Sequence, residues 1–255
     1  MDKLLVMLPC FNEEKDIEPL VLKWMQLYND FLSRGYELTI FCINDCSTDK
    51  TETVIADLSN AFPGKVVLVN HEVNRGLGGG LMTAIRIFLK TGSSRDVCVV
   101  MDGDNTHDPI YALSMLLKIE SGADCVIASR YCDASITKGV SAFRIFLSWS
   151  ARLYYSVLLH VEGVKDYTCG YRAYSHAIIN EAYALFGDQL VERKSFACMM
   201  ELLYKLSLCH AKFDEIPFEL RYDNKAGESK MRILKTVRDS IATAISLRIH
   251  TYRNV

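Results

Sequence analysis

The fold is decided by Asp96-Val97-Cys98-Val99-Val100-Met101-Asp102-Gly103-Asp104-Asn105-Thr106-His107-Asp108-Pro109. Its opening, Asp96–Met101, is an apolar run of the length and valine content of a strand buried on both faces. The run stops on a polar cluster in which two carboxylates stand one residue apart, with Gly103 between them to let the backbone turn tightly. Asp108-Pro109 then reads as a helix N-cap with proline in the first helical position. Strand, polar turn and helix in that order make one step of a parallel sheet.

The same step recurs on either side. Lys3–Leu8, Glu37–Ile43, Lys65–Val69 and Asp124–Ala128 are further apolar runs bounded by polar turns. Ile17, Leu20, Val21, Trp24, Leu27, Tyr28 and Phe31 repeat at helical spacing between the first two, and Val54, Ile55, Leu58 and Phe62 do so more briefly. Alternation of this kind predicts an α/β fold, a mostly parallel Rossmann-like sheet with helices on both faces, whose strand ends carry the chemistry. The second half is less regular. Helices are expected over Phe143–Val161, Ser175–Phe186 and Cys198–Cys209, a strand over Phe213–Leu220 and a basic helix over Lys230–Ile249. With no linker and no repeat, residues 1–255 read as a single domain.

Composition narrows the classes. The chain has 255 residues, 50% hydrophobic and 24% charged, enough to bury a sizeable core. A net charge of −2 gives no argument for nucleic acid. From Lys230 onward six Lys/Arg face Asp239 alone, so this end carries +5 and the remainder −7. Nine scattered cysteines show no zinc-like spacing, and several lie inside apolar runs, which suits reduced, buried thiols. The apolar run after Lys3 is too short for a signal peptide, and the best candidate span, Ile145–Val161, is broken by Arg152. The expected location is cytoplasmic, peripheral on the cytoplasmic membrane face.

Each early strand ends in a polar cluster: Pro9-Cys10-Phe11-Asn12-Glu13, Asn44-Asp45-Cys46-Ser47-Thr48-Asp49, Asp102 to Asp108, and Ser129-Arg130. Carboxylates spaced like Asp102 and Asp104 can point at one hard cation, Mg2+ or Mn2+, whose other sites take water and substrate phosphate. Acids at a strand end can equally cap the next helix. That is the reading for Asp108, while for Asp102 and Asp104 both stay open. Asn74-Arg75-Gly76-Leu77-Gly78-Gly79-Gly80 has neither dinucleotide nor P-loop spacing, and tight strand-to-helix packing explains it at least as well as phosphate contact.

Taken in order, these residues resemble the GT-A family 2 glycosyltransferases of the dolichyl-phosphate (polyprenyl-phosphate) mannosyltransferase type. Pro9 to Glu13 is similar to a P-x-[YF]-N-E opening, and Asn44 to Thr51 to D-D-x-S-x-D-G-T, with Asn44 and Lys50 departing from it. Met101 to Pro109 is similar to M-D-A-D-x-x-H-P-P and Ala128-Ser129-Arg130-Tyr131 to G-S-R-Y. Asp166 to Arg172 resembles D-x-T-S-G-[FY]-R, and Gly227-Glu228-Ser229-Lys230 resembles G-x-S-K. The resemblance implies a GDP- or UDP-hexose donor, with Pro9, Phe11, Glu13 and Asp45 on base and ribose. Asp102, Gly103 and Asp104 would meet the diphosphate, through a metal held by the two acids. It further implies a nucleotide-sugar-binding half over 1–130, an acceptor half over 131–229 and a basic C-terminal helix over 230–255. Thr106 replaces a residue that often ligates the metal in the family, so Asp104 is expected to carry more of the coordination.

The implied acceptor is a polyprenyl phosphate, which is largely dianionic at neutral pH and needs cations rather than a base. Arg130 and Arg172 are the first candidates, then Arg144, Arg221 and Lys230. Glu201 lies inside an apolar helix and by resemblance under the sugar, as a hydroxyl acceptor or as the partner of a nearby arginine. An inverting, metal-dependent hexosyltransferase, moving mannose or glucose, is the leading reading. Transfer to a saccharide would instead need a carboxylate base, Glu201 or Asp166, and a non-catalytic nucleotide-binding subunit is the reading from another class. A lipid acceptor calls for a membrane surface or membrane subunit, reached by the C-terminal helix whose stripe is Leu234, Val237, Ile241 and Ile245.

Overall fold

The computed structural model describes residues 1–139, 142–221 and 233–250, and of these not the side chains of 142–147, 233–238 and 250. The first half alternates as the apolar runs dictate: β1 (Asp2–Cys10), α1 (Ile17–Gln26), α2 (Tyr28–Ser33), β2 (Tyr36–Asn44), α3 (Thr51–Ala61), β3 (Val66–Asn70), α4 (Gly76–Thr91), β4 (Val97–Val100), α5 (Tyr111–Glu120) and β5 (Cys125–Ser129). Each expected strand here is found, with ends displaced by a residue or two. The amphipathic run 17–31 is two helices rather than one. The chain turns at Leu27 (ψ 1°), and the turn keeps the Trp24 and Phe31 rings stacked 5.9 Å apart in the core. Helix α5 starts at Tyr111, later than Asp108-Pro109 suggests; Asp108 Oδ1 instead accepts from the Ile110 N–H in the preceding turn.

The second half continues with β6 (Ile136–Lys138), α6 (Ala142–Leu158), β7 (Arg172–Ser175), α7 (His176–Phe186), α8 (Ala197–Leu208), β8 (Phe213–Pro217), β9 (Glu219–Arg221) and α9 (Ile233–His250). The expected strand 213–220 divides. Pro217, lacking an N–H, closes the ladder with β5. Phe218 turns into the core against the His107 ring, 5.5 Å away, and β9 pairs with β6 in a small second sheet.

The main sheet has the order β3-β2-β1-β4-β7-β5-β8. All its pairings are parallel except those of β7, which runs antiparallel to both β4 and β5. Leu4 to Leu8 in β1 are all buried, and so are all residues of β4 and β5. Successive strand residues point to opposite faces, so both faces of the central sheet are covered. None of the nine cysteines forms a disulfide. Burial pushes the thiols of Cys42, Cys125 and Cys169 up to about 12, leaving them protonated and apolar at neutral pH.

Candidate active site

After β1 the chain moves toward β2 and β3, and after β4 it moves the other way, so a crevice opens where the carboxyl ends of β1 and β4 meet. The two ends touch there: the Gly103 N–H donates to the Pro9 carbonyl at 3.3 Å, and a Cβ on Gly103 would stand 2.7 Å from Cys10 Sγ. A side chain between the two acids would have to displace Cys10 Sγ. Asp102 and Asp104 are both half-buried at the rim. Asp104 Oδ1 accepts from the Thr106 hydroxyl at 2.6 Å, while Asn105, at φ 57°, accepts from Lys23 Nζ at 2.9 Å. Thr106 is buried, so its hydroxyl aims Asp104. A Cβ on Gly170 would come within 3.2 Å of Asp102 Oδ1, so a side chain there would crowd this carboxylate.

Two hard carboxylate oxygens beside bare glycine backbone suit Mg2+ or Mn2+. Among the described residues no group of three His, Cys, Asp or Glu side chains could hold an ion, so the remaining positions would fall to ligand oxygens and water.

The other strand ends are built more tightly. Asp45 is buried, with Oδ1 accepting from the Arg75 N–H (2.8 Å) and 2.7 Å from His71 Nδ1, and Oδ2 accepting from the Gly76 N–H (2.8 Å). It pins the glycine-rich turn to β2. His71 Nε2 lies 2.9 Å from Thr83 Oγ1, joining the cluster to α4. Asn44, which departs from the family pattern, donates to Asn70, and Asn70 donates to Glu52. Glu13 is buried with its N–H on Thr51, whereas Phe11 lies on the surface at 38% exposure and Pro9 is half-buried.

Two expectations need correction, and a third residue, Arg130, has a partner within the protein as well. Arg172 is fully buried; Nε, Nη1 and Nη2 donate to the carbonyls of Cys169, Met199 and Tyr167 at 2.7–2.9 Å. It clamps backbone segments and does not face a phosphate. Glu201 is 1% exposed, and its Oε2 accepts from the Glu192 and Arg193 N–H groups while Oε1 accepts from Lys205 Nζ at 2.9 Å. It holds the 192–193 backbone rather than a sugar hydroxyl, and its partner is a lysine one helical turn on, not an arginine. Arg130 donates from Nε and Nη2 to both oxygens of Asp166, and from Nη2 to Thr168. Burial would raise the Asp166 carboxyl, but the guanidinium and the Arg130 and Thr168 N–H groups outweigh it and hold it at about 2. Arg130 therefore orders the 166–168 turn, with its own side chain 22% exposed.

Arg221 sits beside the acid pair through its backbone, whose N–H donates to the Thr106 carbonyl, and its guanidinium lies 3.6 Å from Glu219. The Arg144 side chain and all of Lys230 are outside the described residues. Two features escape sequence reasoning. Arg75, Arg193 and Lys194 line a cavity of about 280 Å³ between the glycine-rich turn and the segment held by Glu201. A Cβ on Gly78 would stand 1.8 Å from the Arg193 carbonyl, so these glycines are there for close approach. Arg152 lies with Cζ 4.7 Å from the Tyr131 ring centroid, on the same ring that Arg130 approaches at 5.6 Å. Neither grouping has a local signal, since its members come from segments far apart in the chain; only the Glu201–Lys205 spacing was there to be read.

The family model described as Glycosyl transferase family 2 matches residues 5–181. The chain belongs to that family. Polyprenol monophosphomannose synthase of Mycolicibacterium smegmatis is 27% identical over 90% of this chain and 81% of its own length. Dolichol-phosphate mannosyltransferase of Pyrococcus furiosus is also 27% identical over 90% of this chain, which spans 59% of that relative. Among solved structures, glucosyl-3-phosphoglycerate synthase of Mycobacterium tuberculosis, in complex with Mn2+, UDP and phosphoglyceric acid, superposes with a TM-score of 0.69 at 18% identity, over 97% of this chain and 79% of that one. The fold is thus GT-A, and the family 2 chain is a glycosyltransferase.

Proposed function

We propose that this glycosyltransferase moves a hexose, with inversion, from a GDP- or UDP-sugar to a polyprenyl phosphate at a membrane surface. The observation that carries the acceptor class is the state of Asp166 and Glu201. A saccharide hydroxyl needs a carboxylate base, and both candidates are shut from solvent with both oxygens engaged. An acid held at about 2 is also a poor base at neutral pH. A phosphate monoester, with a second pKa of about 6, arrives already charged. The names of the two sequence relatives support the same class.

Asp102 and Asp104 are the residues that would hold Mg2+ or Mn2+, and the ion would supply charge neutralisation at the leaving diphosphate. The protein's part is positional. Thr106 and Lys23 fix the Asp104 turn, and Pro9 and Gly103 fix the approach of β1 to β4. Asp45 orders the glycine-rich turn opposite the segment anchored by Glu201, which leaves Arg75, Arg193 and Lys194 around the cavity beside the crevice. Phe11 and Glu13 would border the nucleoside, and Arg130 and Arg221 the acceptor phosphate. Among the described residues no helix is long and apolar enough to cross a membrane. A lipid acceptor would then be met at the bilayer surface. In α9, Ala244 and Leu247 are buried while Ile241 and Ile245 stay exposed, which leaves part of the expected stripe facing outward.

The test is transfer of labelled hexose from GDP-mannose and UDP-glucose to polyprenyl phosphate, with Mg2+ or Mn2+ and with chelator. Metal-dependent formation of the lipid-linked sugar from one donor is the expected outcome. Transfer to a saccharide but to no prenyl phosphate would overturn the acceptor assignment.

A further inference from the structure

Helix α6 carries three large apolar side chains in one exposed row: Trp149 and Leu153, each 53% exposed, and Val157 at 76%. They stand four residues apart, so the row runs for roughly 12 Å along a single face. A groove of about 380 Å³ follows it, lined also by Ser150, Tyr154 and Leu158. On a helix of 3.6 residues per turn, Arg152 and Tyr154 lie on opposite flanks of Leu153. Tyr154 leads toward α9, its hydroxyl donating to the Ile241 carbonyl at 3.4 Å. Arg152 leads toward the proposed acceptor site, stacked on Tyr131. The Tyr131 hydroxyl in turn donates to the Ser148 carbonyl at 2.8 Å, one residue before the row begins. Arg152 forms no ion pair among the described residues, whereas Arg130, on the same ring, is committed to Asp166.

Arg152, paired with no acid among the described residues, thus stands on one flank of the apolar row, next to Leu153 in the chain and against Tyr131. We propose that α6 is the acceptor cradle: Arg152 binds the phosphate of the acceptor and the Trp149–Leu153–Val157 row takes the first part of its isoprenoid chain. This rests on the reading of a prenyl phosphate acceptor and goes further by fixing which residues meet each end of it. Charge complementarity selects an anionic head for Arg152. Continuity from Tyr131 through Ser148 to Trp149 makes the occupant of the row the tail of that same molecule, rather than a second copy of the chain.

The decisive experiment compares KM for dimethylallyl phosphate and for a long-chain polyprenyl phosphate, both dispersed in detergent, for wild type, Leu153→Ser/Val157→Ser, Arg152→Gln and Arg152→Lys. The double variant should raise KM for the long acceptor at least about tenfold more than for the short one, because only the long chain reaches the row. Arg152→Gln should raise KM for both acceptors alike, and Arg152→Lys should recover part of the loss. A double variant acting equally on both acceptors, or on neither, overturns the cradle while leaving the acceptor class intact. So does a chain-length effect present on vesicles but absent in detergent, which would make the row a bilayer contact. A wild-type dimer dispersed by the double variant, with no chain-length effect, would reassign the face to self-association. Failure of the wild type to use either phosphate overturns the acceptor reading and the cradle together.

Discussion

The strand ends before residue 130 and the segment from 166 to 205 hold motif residues of the same chemical kinds and use them differently. At the end of β4, Asp102 and Asp104 sit half-buried on an open rim, where the Thr106 hydroxyl holds Asp104 and Lys23 holds the neighbouring Asn105. In the later segment Asp166, Arg172 and Glu201 are all but sealed, each bound to several backbone groups. A charged side chain is stable inside a protein only when its hydrogen-bonding capacity is filled by the protein. Once filled, it has little left for a ligand. The letters of a motif thus mark two trades, binding and framing, and exposure of the ionic oxygens separates them.

The largest effect is expected from Asp104→Asn. If the rim is the working part, the variant should lose about 100-fold or more of its metal-dependent turnover, as removal of a group that stabilises developing charge does, with an unchanged melting temperature. Near-normal rates in Mg2+ or Mn2+ would place the chemistry elsewhere. Arg172→Met should behave oppositely. Leaving buried carbonyls without a donor should cost about 3 kcal/mol in urea unfolding, while the acceptor KM of the surviving folded protein stays put. A stable variant with a weakened acceptor KM would return Arg172 to the site.

Asp166 offers a test that needs no assay of turnover. Its folded value of about 2 lies below the ordinary 3.8. The stabilisation is therefore complete above about pH 5 and disappears as pH falls from 4 toward 2, an effect on the order of 2 kcal/mol. Denaturation midpoints measured across that range should show the slope, and Asp166→Asn should flatten it. The smallest expected effect is at the rim. Lys23→Met removes one partly buried hydrogen bond to Asn105 and should lower stability by about 1 kcal/mol, with little change in urea m-value.

The parallel part of the fold was plain in the sequence because each strand is a short apolar run with a polar stop, a local signal. So were the D-x-D turn and its placement, since strand and turn are adjacent in the chain. The antiparallel β7 was not. Arg172-Ala173-Tyr174-Ser175 is short, opens on a charge and lies directly against the helix 176–186, so nothing in its composition marks a central strand. The roles of Arg172 and Glu201 are illegible for a related reason: a charge in an apolar surrounding signals importance, and only tertiary contacts tell whether carbonyls, N–H groups or a ligand answer it. The Arg152–Tyr131 contact and the Arg75–Arg193 cavity were illegible because their members are scattered.

The place of β7 also governs how the molecule can be made. Its registers, Val100↔Arg172 and Ile127↔Arg172, let one residue bridge strands that are otherwise not neighbours. During synthesis β1 to β4 can join as they emerge, but β5 has no partner until β7 has been translated. A nascent chain ending near Lys138 would present β4 as a bare edge and β5 as an orphan hairpin-less strand, the kind of surface that recruits chaperones or other chains. Closure of the sheet waits on contacts of long sequence separation, which slows folding. A pause in translation between residues 139 and 175 is therefore the moment at which this chain is most exposed to misassembly.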